Sequence, residues 1–197
     1  MISVAKITFT YKKAMRTAII VTGLPASGKS TVARQIASAL SWKIFDKDDF
    51  LENLYEVRGV ISWDERKKLS RESDVLFQQK AELAKSPVLV SHWRPTNGSH
   101  DSGTPTDWLE RSFEKIIEVN CVCTPQTATR RFLERQRHPG HLDQERDASE
   151  LAESMQELSV AYPLNIGIVV DVNTENNIDF SILIERIRRH LGCSPQK

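Results

Sequence analysis

The sequence predicts an α/β protein in which a five-stranded parallel sheet lies between two layers of helices, a three-layer α/β/α fold. Short apolar runs alternate with longer segments whose apolar residues recur every three or four positions, and this alternation is typical of parallel sheets covered by helices. A glycine-rich motif lies between the first strand and the first helix. The 197 residues suffice for one domain with a proper core, and no internal repeat or second domain is visible.

The first predicted strand, residues 17–22, leads directly into the glycine-rich motif. A helix is expected after the motif because Val32, Ile36 and Leu40 recur at helical spacing. The motif itself fits the phosphate-binding pattern G-x-x-x-x-G-K-[ST], in which backbone N–H groups and a helix N-terminus point at phosphate oxygens. We therefore predict a nucleotide-binding loop made of Gly23, Leu24, Pro25, Ala26, Ser27, Gly28, Lys29, Ser30 and Thr31.

Two side chains of this loop have expected chemical roles. Lys29 should reach the β- and γ-phosphates as a catalytic cation, and the Ser30 hydroxyl should bind Mg²⁺. The third predicted strand ends in Ser91-His92 rather than in a carboxylate. Ser30 is therefore expected to be the main protein ligand of the metal, with water and phosphate oxygens completing the octahedron. The predicted cofactors are ATP and Mg²⁺.

The other elements follow in alternating order. An acidic turn at 46–49 leads into a helix that reaches about residue 57, and Ser62 with Glu65 forms a capping box at the start of a long polar helix. Thr124-Pro125 reads as an N-cap followed by proline in the first helical position, and Gly192 is a helix stop. The further strands are predicted at 42–45, 87–91, 115–123 and 167–171, and the further helices at 62–85, 107–113, from 125, at 147–159 and at 178–191.

The domain organisation is predicted to be simple. Residues 16–192 form a single domain with a helical lid at about 130–147, preceded by a possibly flexible extension at 1–15 and followed by a tail at 193–197. Residues 95–106 are the one turn-rich stretch of low hydrophobicity.

A carboxylate beside the acceptor hydroxyl is the second expected part of the site. Asp48 and Asp49 follow the second strand, and ligands of open α/β sheets lie at the carboxyl ends of strands. Asp48 is the candidate base that takes the proton of the hydroxyl. Asp49 with Glu52 resembles a helix cap, so Asp49 is expected to be structural or to support the metal or substrate.

The third expected part is a basic lid. Arg131 and Arg135 are four residues apart and should share a helix face, and Arg137 lies just before a helix break at Pro139-Gly140. Such a segment can close over the nucleotide, exclude water and neutralise charge on the transferred phosphoryl group. Arg131 and Arg135 are expected to be catalytic and Arg137 to bind nucleotide, whereas the alternative is a solvated helix end.

His92 and Trp93 follow the third strand and are candidate contacts of the acceptor substrate. The alternative for each is an ordinary packed or exposed edge residue.

Composition excludes several function classes. Lysine and arginine number 27 and the acidic residues 26, so the net charge of +1 demands neither nucleic acid nor an anionic membrane. No apolar run reaches transmembrane length, and the first fourteen residues lack the features of a signal peptide. Cys121, Cys123 and Cys193 have no metal-like spacing and fit free thiols in a reducing compartment, so a cytoplasmic location is expected.

From about Arg16 to Leu191 the chain resembles the P-loop kinase group of adenylate-kinase-like topology. The resemblance is to small phosphotransferases such as gluconate kinase, chloramphenicol phosphotransferase, zeta toxins and the 5′-hydroxyl polynucleotide kinase domain. It rests on the loop, on the Asp48-Asp49-Phe50 step after the second strand and on the late arginine-rich lid. It implies the P-loop NTPase fold with a helical lid, and it places the base at Asp48.

The resemblance leaves the acceptor open. The polynucleotide kinases are expected to have an arginine where this chain has Leu51, and an aspartate where it has Ser91-His92. The leading prediction is an ATP- and Mg²⁺-dependent kinase that phosphorylates a hydroxyl of a small molecule. The alternatives are a 5′-hydroxyl polynucleotide kinase and a nucleotide-binding switch or toxin-like ATPase without efficient transfer.

Overall fold

A central sheet of five parallel strands forms the middle layer of the molecule. The computed structural model describes residues 15–60, 62–95 and 102–192. The strands lie in the order β2-β3-β1-β4-β5 and every neighbouring pair is parallel. The predicted fold class is confirmed. The strands are β1 (Thr17–Gly23), β2 (Lys43–Asp46), β3 (Pro87–Val90), β4 (Lys115–Val122) and β5 (Ile168–Asn173).

Helices connect successive strands and lie on both faces of the sheet. All predicted helices form within the described residues, with ends displaced by one to three residues, except that the second helix begins earlier than predicted. They are α1 (Lys29–Leu40), α2 (Lys47–Arg58), α3 (Trp63–Leu83), α4 (Leu109–Ser112), α5 (Pro125–Glu134), α6 (Ala148–Ser159) and α7 (Phe180–Leu191). Two short 3-10 turns, Pro139–His141 and Asp143–Glu145, lie between α5 and α6.

The core has two halves because alternate residues of each strand point to opposite faces of the sheet. Ile19 and Val21 of β1 pack with α1 and α7, whereas Ala18 and Ile20 pack with α3 and with the aromatic rings of Trp93 and Trp108. β1 is the middle strand, so both clusters cover it completely. The loop that follows it therefore starts from the most rigid position in the sheet.

A smaller cluster joins the lid to the phosphate-binding loop. Leu24 of the loop packs with Ala128 and Phe132 of α5 and with Leu151 and Met155 of α6. The two helices on either side of the lid turns are thus anchored next to the loop that is expected to bind phosphates.

Side-chain caps fix several helix starts where the sequence predicts them. Ser62 Oγ accepts from the Glu65 N–H at 3.3 Å, and Thr124 Oγ1 accepts from the Thr127 N–H at 3.2 Å. Gly192 ends α7 in the left-handed conformation, which glycine adopts at no steric cost. The predicted helix signals at these ends are confirmed.

Some predictions fall on residues that are not described. The predicted extension up to residue 14, the tail with Cys193, and residues 96–101 of the turn-rich stretch lie outside the described residues. Cys121 and Cys123 are free thiols, the first of them buried. None of the helices in the described part of the chain is long and apolar enough to cross a membrane.

Candidate active site

The phosphate-binding loop connects the middle strand to α1. Gly23 ends β1 with φ +124° and Gly28 caps α1 with φ +89°. A Cβ atom at Gly23 would overlap the backbone of Cys121 on β4, so only glycine fits there. The Lys29 ammonium group donates to the carbonyl oxygens of Gly23 at 3.1 Å and Leu24 at 2.7 Å, which holds it across the loop.

Burial lowers the pKa of Lys29 to about 8, although the nearby carboxylates of Asp46 and Asp48 partly oppose this shift. The amine lies in a place where its charge is poorly solvated and incompletely compensated by the protein. Phosphate oxygens would supply the missing negative charge, which fits the predicted role of this lysine.

Ser30 has a carboxylate partner that the sequence analysis did not assign to the site. Its Oγ donates to Asp46 Oδ2 at 2.6 Å, and Asp46 also caps α2 by accepting from the Asp48 N–H at 3.2 Å. Burial raises the pKa of Asp46, and the hydrogen bond from Ser30 only partly offsets this. A hydroxyl beside a poorly solvated carboxylate fits the oxygen ligands that Mg²⁺ prefers.

Ser30 and Asp46 would therefore hold Mg²⁺ at this point. The sequence analysis expected Ser30 to be the main protein ligand of the metal, and the structure adds Asp46 beside it. Among the described residues, no cluster of three or more His, Cys, Asp or Glu side chains is placed to bind a metal. A site of this kind relies on water and on phosphate oxygens for its remaining ligands, as Mg²⁺ sites with nucleotides usually do.

Asp48 lies in the same cleft and pairs with the lid. Its Oδ2 accepts from Arg137 Nη2 at 2.5 Å. Burial alone would raise the pKa of Asp48, but the charges of Arg137, His141 and Lys29 outweigh it and lower the pKa of this carboxyl. Asp48 is therefore ionised at neutral pH, which is the state that a proton acceptor needs.

The prediction that Asp49 caps the helix is wrong. α2 begins at Lys47, three residues earlier than that cap requires, because Asp46 is the N-cap. Asp49 lies on the exposed side of α2, and its carbonyl accepts from the Asn53 side chain at 2.8 Å. Its side chain is not among those that line the cleft, so it does not reach a substrate there.

The three lid arginines converge from one segment. Arg131 donates to the Thr174 carbonyl at 2.8 Å, while Arg135 and Arg137 both reach Asp143 Oδ2, at 3.0 Å and 3.3 Å. The expectation that Arg131 and Arg135 share a helix face is wrong at Arg135, because α5 ends at Glu134 and Arg135 is extended. Burial, together with the like charge of Arg137, lowers the pKa of Arg135 to about 10.

The lid turn packs on α2 through contacts that the sequence analysis missed. His138 Nε2 lies 3.0 Å from Glu56 Oε1, and His141 Nε2 lies 2.9 Å from Glu52 Oε1. The Tyr55 ring packs against both imidazoles, with centroid distances of 5.4 Å and 5.3 Å. These contacts hold Arg137 over Asp48.

Beyond Asp48, a network of polar side chains lines the cleft. Lys47 Nζ forms an ion pair with Asp74 Oδ1 at 2.7 Å, and Thr104 Oγ1 donates to the same oxygen at 2.7 Å. Burial, together with the charges of Lys29 and Lys47, lowers the pKa of His92 to about 3. His92 is therefore neutral, and it lines the cleft as predicted for an acceptor contact.

The prediction that Trp93 contacts the acceptor is wrong. Its side chain is fully buried in the core, and its Nε1 donates to the Val21 carbonyl at 2.9 Å. Successive residues of an extended chain point to opposite faces, so Trp93 points away from the cleft that His92 lines. Trp93 therefore supports the sheet under the loop.

Asp46, Lys47, Asp74 and Asp143 line one cleft of about 730 Å³ together with most of the predicted site residues. Its volume lies in the range of small-molecule sites. The predicted residues that line it are Pro25, Ala26, Gly28, Lys29, Ser30, Thr31, Asp48, His92, Arg131, Arg135 and Arg137.

The sheet order, the loop after the middle strand and the lid between α5 and α6 define a P-loop protein with the arrangement of adenylate-kinase-like kinases. A family model described as AAA domain (AAA_18) matches residues 19–156. This is well over half of the chain, and the chain belongs to that family.

Solved structures have the same fold. A candidate kinase from Chloroflexus aurantiacus J-10-fl is 24% identical, with a TM-score of 0.76 over 89% of this chain and 98% of its own. A shikimate kinase from Bacteroides thetaiotaomicron is 18% identical (TM-score 0.57, 89% and 98% covered), and a sugar kinase from Janibacter sp. HTCC2649 is 19% identical (TM-score 0.55, 92% and 96% covered). Among the curated proteins compared, none matches this chain.

Proposed function

We propose that this protein is an ATP- and Mg²⁺-dependent kinase that transfers the γ-phosphoryl group to a hydroxyl of a small molecule. The observation that carries the proposal is the meeting of three groups in one cleft: the loop with Lys29, the ionised carboxylate of Asp48, and the lid arginines. A nucleotide switch needs the first of these but has no use for a carboxylate facing an acceptor pocket.

Each residue has a part in the transfer. The loop N–H groups and Lys29 bind the phosphates, and Arg131 and Arg135 stabilise charge on the phosphoryl group as it moves. When bound at Ser30 and Asp46, Mg²⁺ neutralises phosphate charge. The acceptor oxygen forms a bond to the γ-phosphorus as the bond from that phosphorus to the β–γ bridging oxygen breaks, and the hydroxyl proton passes to Asp48. ADP leaves with the electron pair of the broken bond.

Release of Arg137 from Asp48 Oδ2 would free both oxygens of this carboxylate to accept the proton. The γ-phosphate carries more negative charge than the Asp48 carboxylate. Arg137 is the lid arginine that can move from Asp48 to the γ-phosphate. Simple hydrolysis of ATP is disfavoured because the closed lid excludes water.

The first prediction concerns Asp48→Asn. The amide keeps the size of the side chain but cannot accept the proton, so kcat should fall by about 10²- to 10⁴-fold. The measurement is ADP release with product identification by mass, using a panel of hydroxylated metabolites. Nucleotide affinity, measured separately by calorimetry, should change little.

Asp49→Asn is the matched control, because it changes the neighbouring carboxylate outside the cleft. It should leave kcat unchanged. Undiminished transfer by Asp48→Asn would show that Asp48 is not the base. A 5′-hydroxyl oligonucleotide belongs in the same panel, and its phosphorylation in preference to every metabolite would favour the polynucleotide kinase alternative. ATP binding without any phosphorylated product would favour the switch.

A further inference from the structure

The part of the cleft beside His92 and Lys47 is rich in cations. Its walls carry the side chains of Arg66, Lys67, Arg71, Arg94 and Arg146. Of the carboxylates in the cleft wall, Asp74 is paired with Lys47 at 2.7 Å, and Asp143 is paired with Arg135 at 3.0 Å and with Arg137 at 3.3 Å. This part of the site therefore has an excess of positive charge that the protein does not neutralise.

Two of these arginines lie against the same aromatic ring. The guanidinium carbons of Arg66 and Arg146 each lie 5.3 Å from the centroid of the same ring, that of Trp63 at the start of α3. Arg66 Nε donates to the His141 carbonyl at 2.9 Å, which fixes its direction. Within the described ranges, neither guanidinium has a carboxylate at ion-pair distance.

Holding two like charges together is unfavourable unless something compensates for it. Burial lowers the pKa of Arg146, and the charge of Arg66 lowers it further. Trp63 offers both groups an aromatic face, which offsets only part of this repulsion. On the outer surface of the same molecule, other arginines have a carboxylate within 3.2 Å: Arg58, Arg111, Arg130 and Arg189.

Arg66 lies on α3 and Arg146 directly follows the second 3-10 turn, so neither belongs to the phosphate-binding loop or to α5. The charges that shift the pKa of Lys29 most include Arg135 but neither Arg66 nor Arg146. Instead, Arg146 acts on the pKa of His92, and Arg66 acts on that of Lys47. The pair therefore borders the acceptor end of the cleft.

We propose that the acceptor carries an anionic group, a carboxylate or a phosphate, which binds between the guanidinium groups of Arg66 and Arg146 beside Trp63. Planar guanidinium groups bind such oxygens through paired, charge-assisted hydrogen bonds, which gives direction as well as affinity. The anion would orient the acceptor so that its hydroxyl faces Asp48. This inference rests on the proposed kinase function, whose acceptor class it specifies.

The test compares acceptors in matched pairs that differ by the anionic group: gluconate with glucitol, glycerate with glycerol, and glucose 6-phosphate with glucose. The first two pairs report on carboxylates and the third on phosphates. The wild type should phosphorylate an anionic member with a kcat/KM at least about tenfold above that of its neutral partner. Equal use of neutral partners would overturn the anion site and leave the kinase function intact.

Arg66→Gln and Arg146→Gln test the residues themselves. Each should raise KM for the anionic acceptor by about 10- to 100-fold, with kcat changed far less and ADP affinity unchanged. Lys68→Gln is the control, because Lys68 lies on α3 next to Arg66 and Lys67 but is exposed outside the cleft. A KM that is the same in wild type, variants and control would contradict the assignment.

If no member of the panel is phosphorylated, the kinase proposal fails on that panel. The anion site is then tested separately, by measuring the binding of anions. Calorimetry would measure the affinity of inorganic phosphate and of malonate for protein saturated with ADP. Binding that is weakened at least about tenfold in both glutamine variants and retained in Lys68→Gln supports the site. Equal affinity in all four proteins, or no binding to the wild type, overturns it.

Discussion

Lys29 is the residue whose charge depends most directly on what binds in the cleft. Its pKa is lowered from 10.5 to about 8 by burial, so the amine is largely neutral well above pH 8. Phosphate oxygens at hydrogen-bond distance would favour the ammonium form and raise this pKa again. Nucleotide binding and proton binding at Lys29 are therefore linked.

This linkage gives a prediction with a definite sign. Near pH 9 the folded protein has lost the Lys29 proton, so ADP binding should take up about one proton, whereas near pH 7 the amine already holds it and uptake should be close to zero. Calorimetry in buffers of different ionisation enthalpy measures the number of protons directly. The same uptake at both pH values would mean that phosphate does not act on this amine.

At this scale the sequence predicted the loop well and its surroundings less well. The loop residues have a fixed spacing, so their pattern alone identifies them. Asp46 was missed because its role depends on contact with Ser30, sixteen residues away. Trp93 was misplaced because an aromatic residue after a strand can face either side of the sheet, and the sequence does not specify which.

Among the elements, α2 has the most demanding role. Asp48, Glu52 and Glu56 recur every four residues and Tyr55 lies three residues after Glu52, so the four side chains share one side of the helix. Each of them contacts the lid: Asp48 pairs with Arg137, Glu52 with His141 and Glu56 with His138, and Tyr55 packs on both imidazoles. This face positions the lid relative to the proposed base, Asp48.

Gly140→Ala tests this contact. A Cβ atom at Gly140 would collide with the Tyr55 ring, and the residue does not have a positive φ, so the effect is steric. Forcing the lid away should destabilise the fold by about 1–3 kcal/mol and make the lid more sensitive to limited proteolysis. Urea unfolding and digestion of the folded protein are the measurements.

Gln136→Ala is the control in the same segment, because Gln136 is exposed. Unchanged stability and unchanged cleavage in Gly140→Ala would mean that the lid does not rest on Tyr55. The sequence predicted a lid at about 130–147, but not where it docks. The docking face on α2 is about ninety residues away in the chain, as the 89-residue separation of Asp48 and Arg137 illustrates, and long-range pairs of this kind leave no local pattern.

In the whole molecule, one buried carboxylate links three parts of the fold. Glu118 on β4 is fully buried, and it accepts from Thr22 Oγ1 at 2.8 Å, from the Leu164 N–H at 2.7 Å and from the Ile166 N–H at 3.0 Å. It thereby joins β1, just before the phosphate-binding loop, to the chain that leads from the lid helices into β5. A charged group is tolerated there because its oxygens are satisfied.

Glu118→Ala should therefore cost more than the loss of one hydrogen bond. It leaves two backbone donors and a hydroxyl without their partner, and each buried unsatisfied group costs about 1–3 kcal/mol. Urea unfolding should show a marked decrease in the free energy of unfolding. Glu114→Ala, at an exposed position next to β4, should change it by less than about 0.5 kcal/mol. Equal effects of the two substitutions would contradict this role.

The overall architecture was the most predictable level, because strand and helix periodicity alternate through the whole chain and glycine, proline and capping residues mark the boundaries. The sheet order β2-β3-β1-β4-β5 was not predicted, since hydrophobic patterns show that strands pair but not with which neighbours.

The distribution of charge over the surface also could not be predicted from the sequence. The formal net charge is only +1, yet the described walls of the cleft carry ten lysine and arginine side chains against four aspartates. The remainder of the chain is correspondingly acidic. In such a protein the positive electrostatic potential is concentrated at the cleft. Diffusing anions are attracted to the cleft, and cations are repelled from it. For the proposed ATP and anionic acceptor, this charge distribution predicts a faster encounter than the overall charge suggests, and one that slows as salt shortens the range of the field.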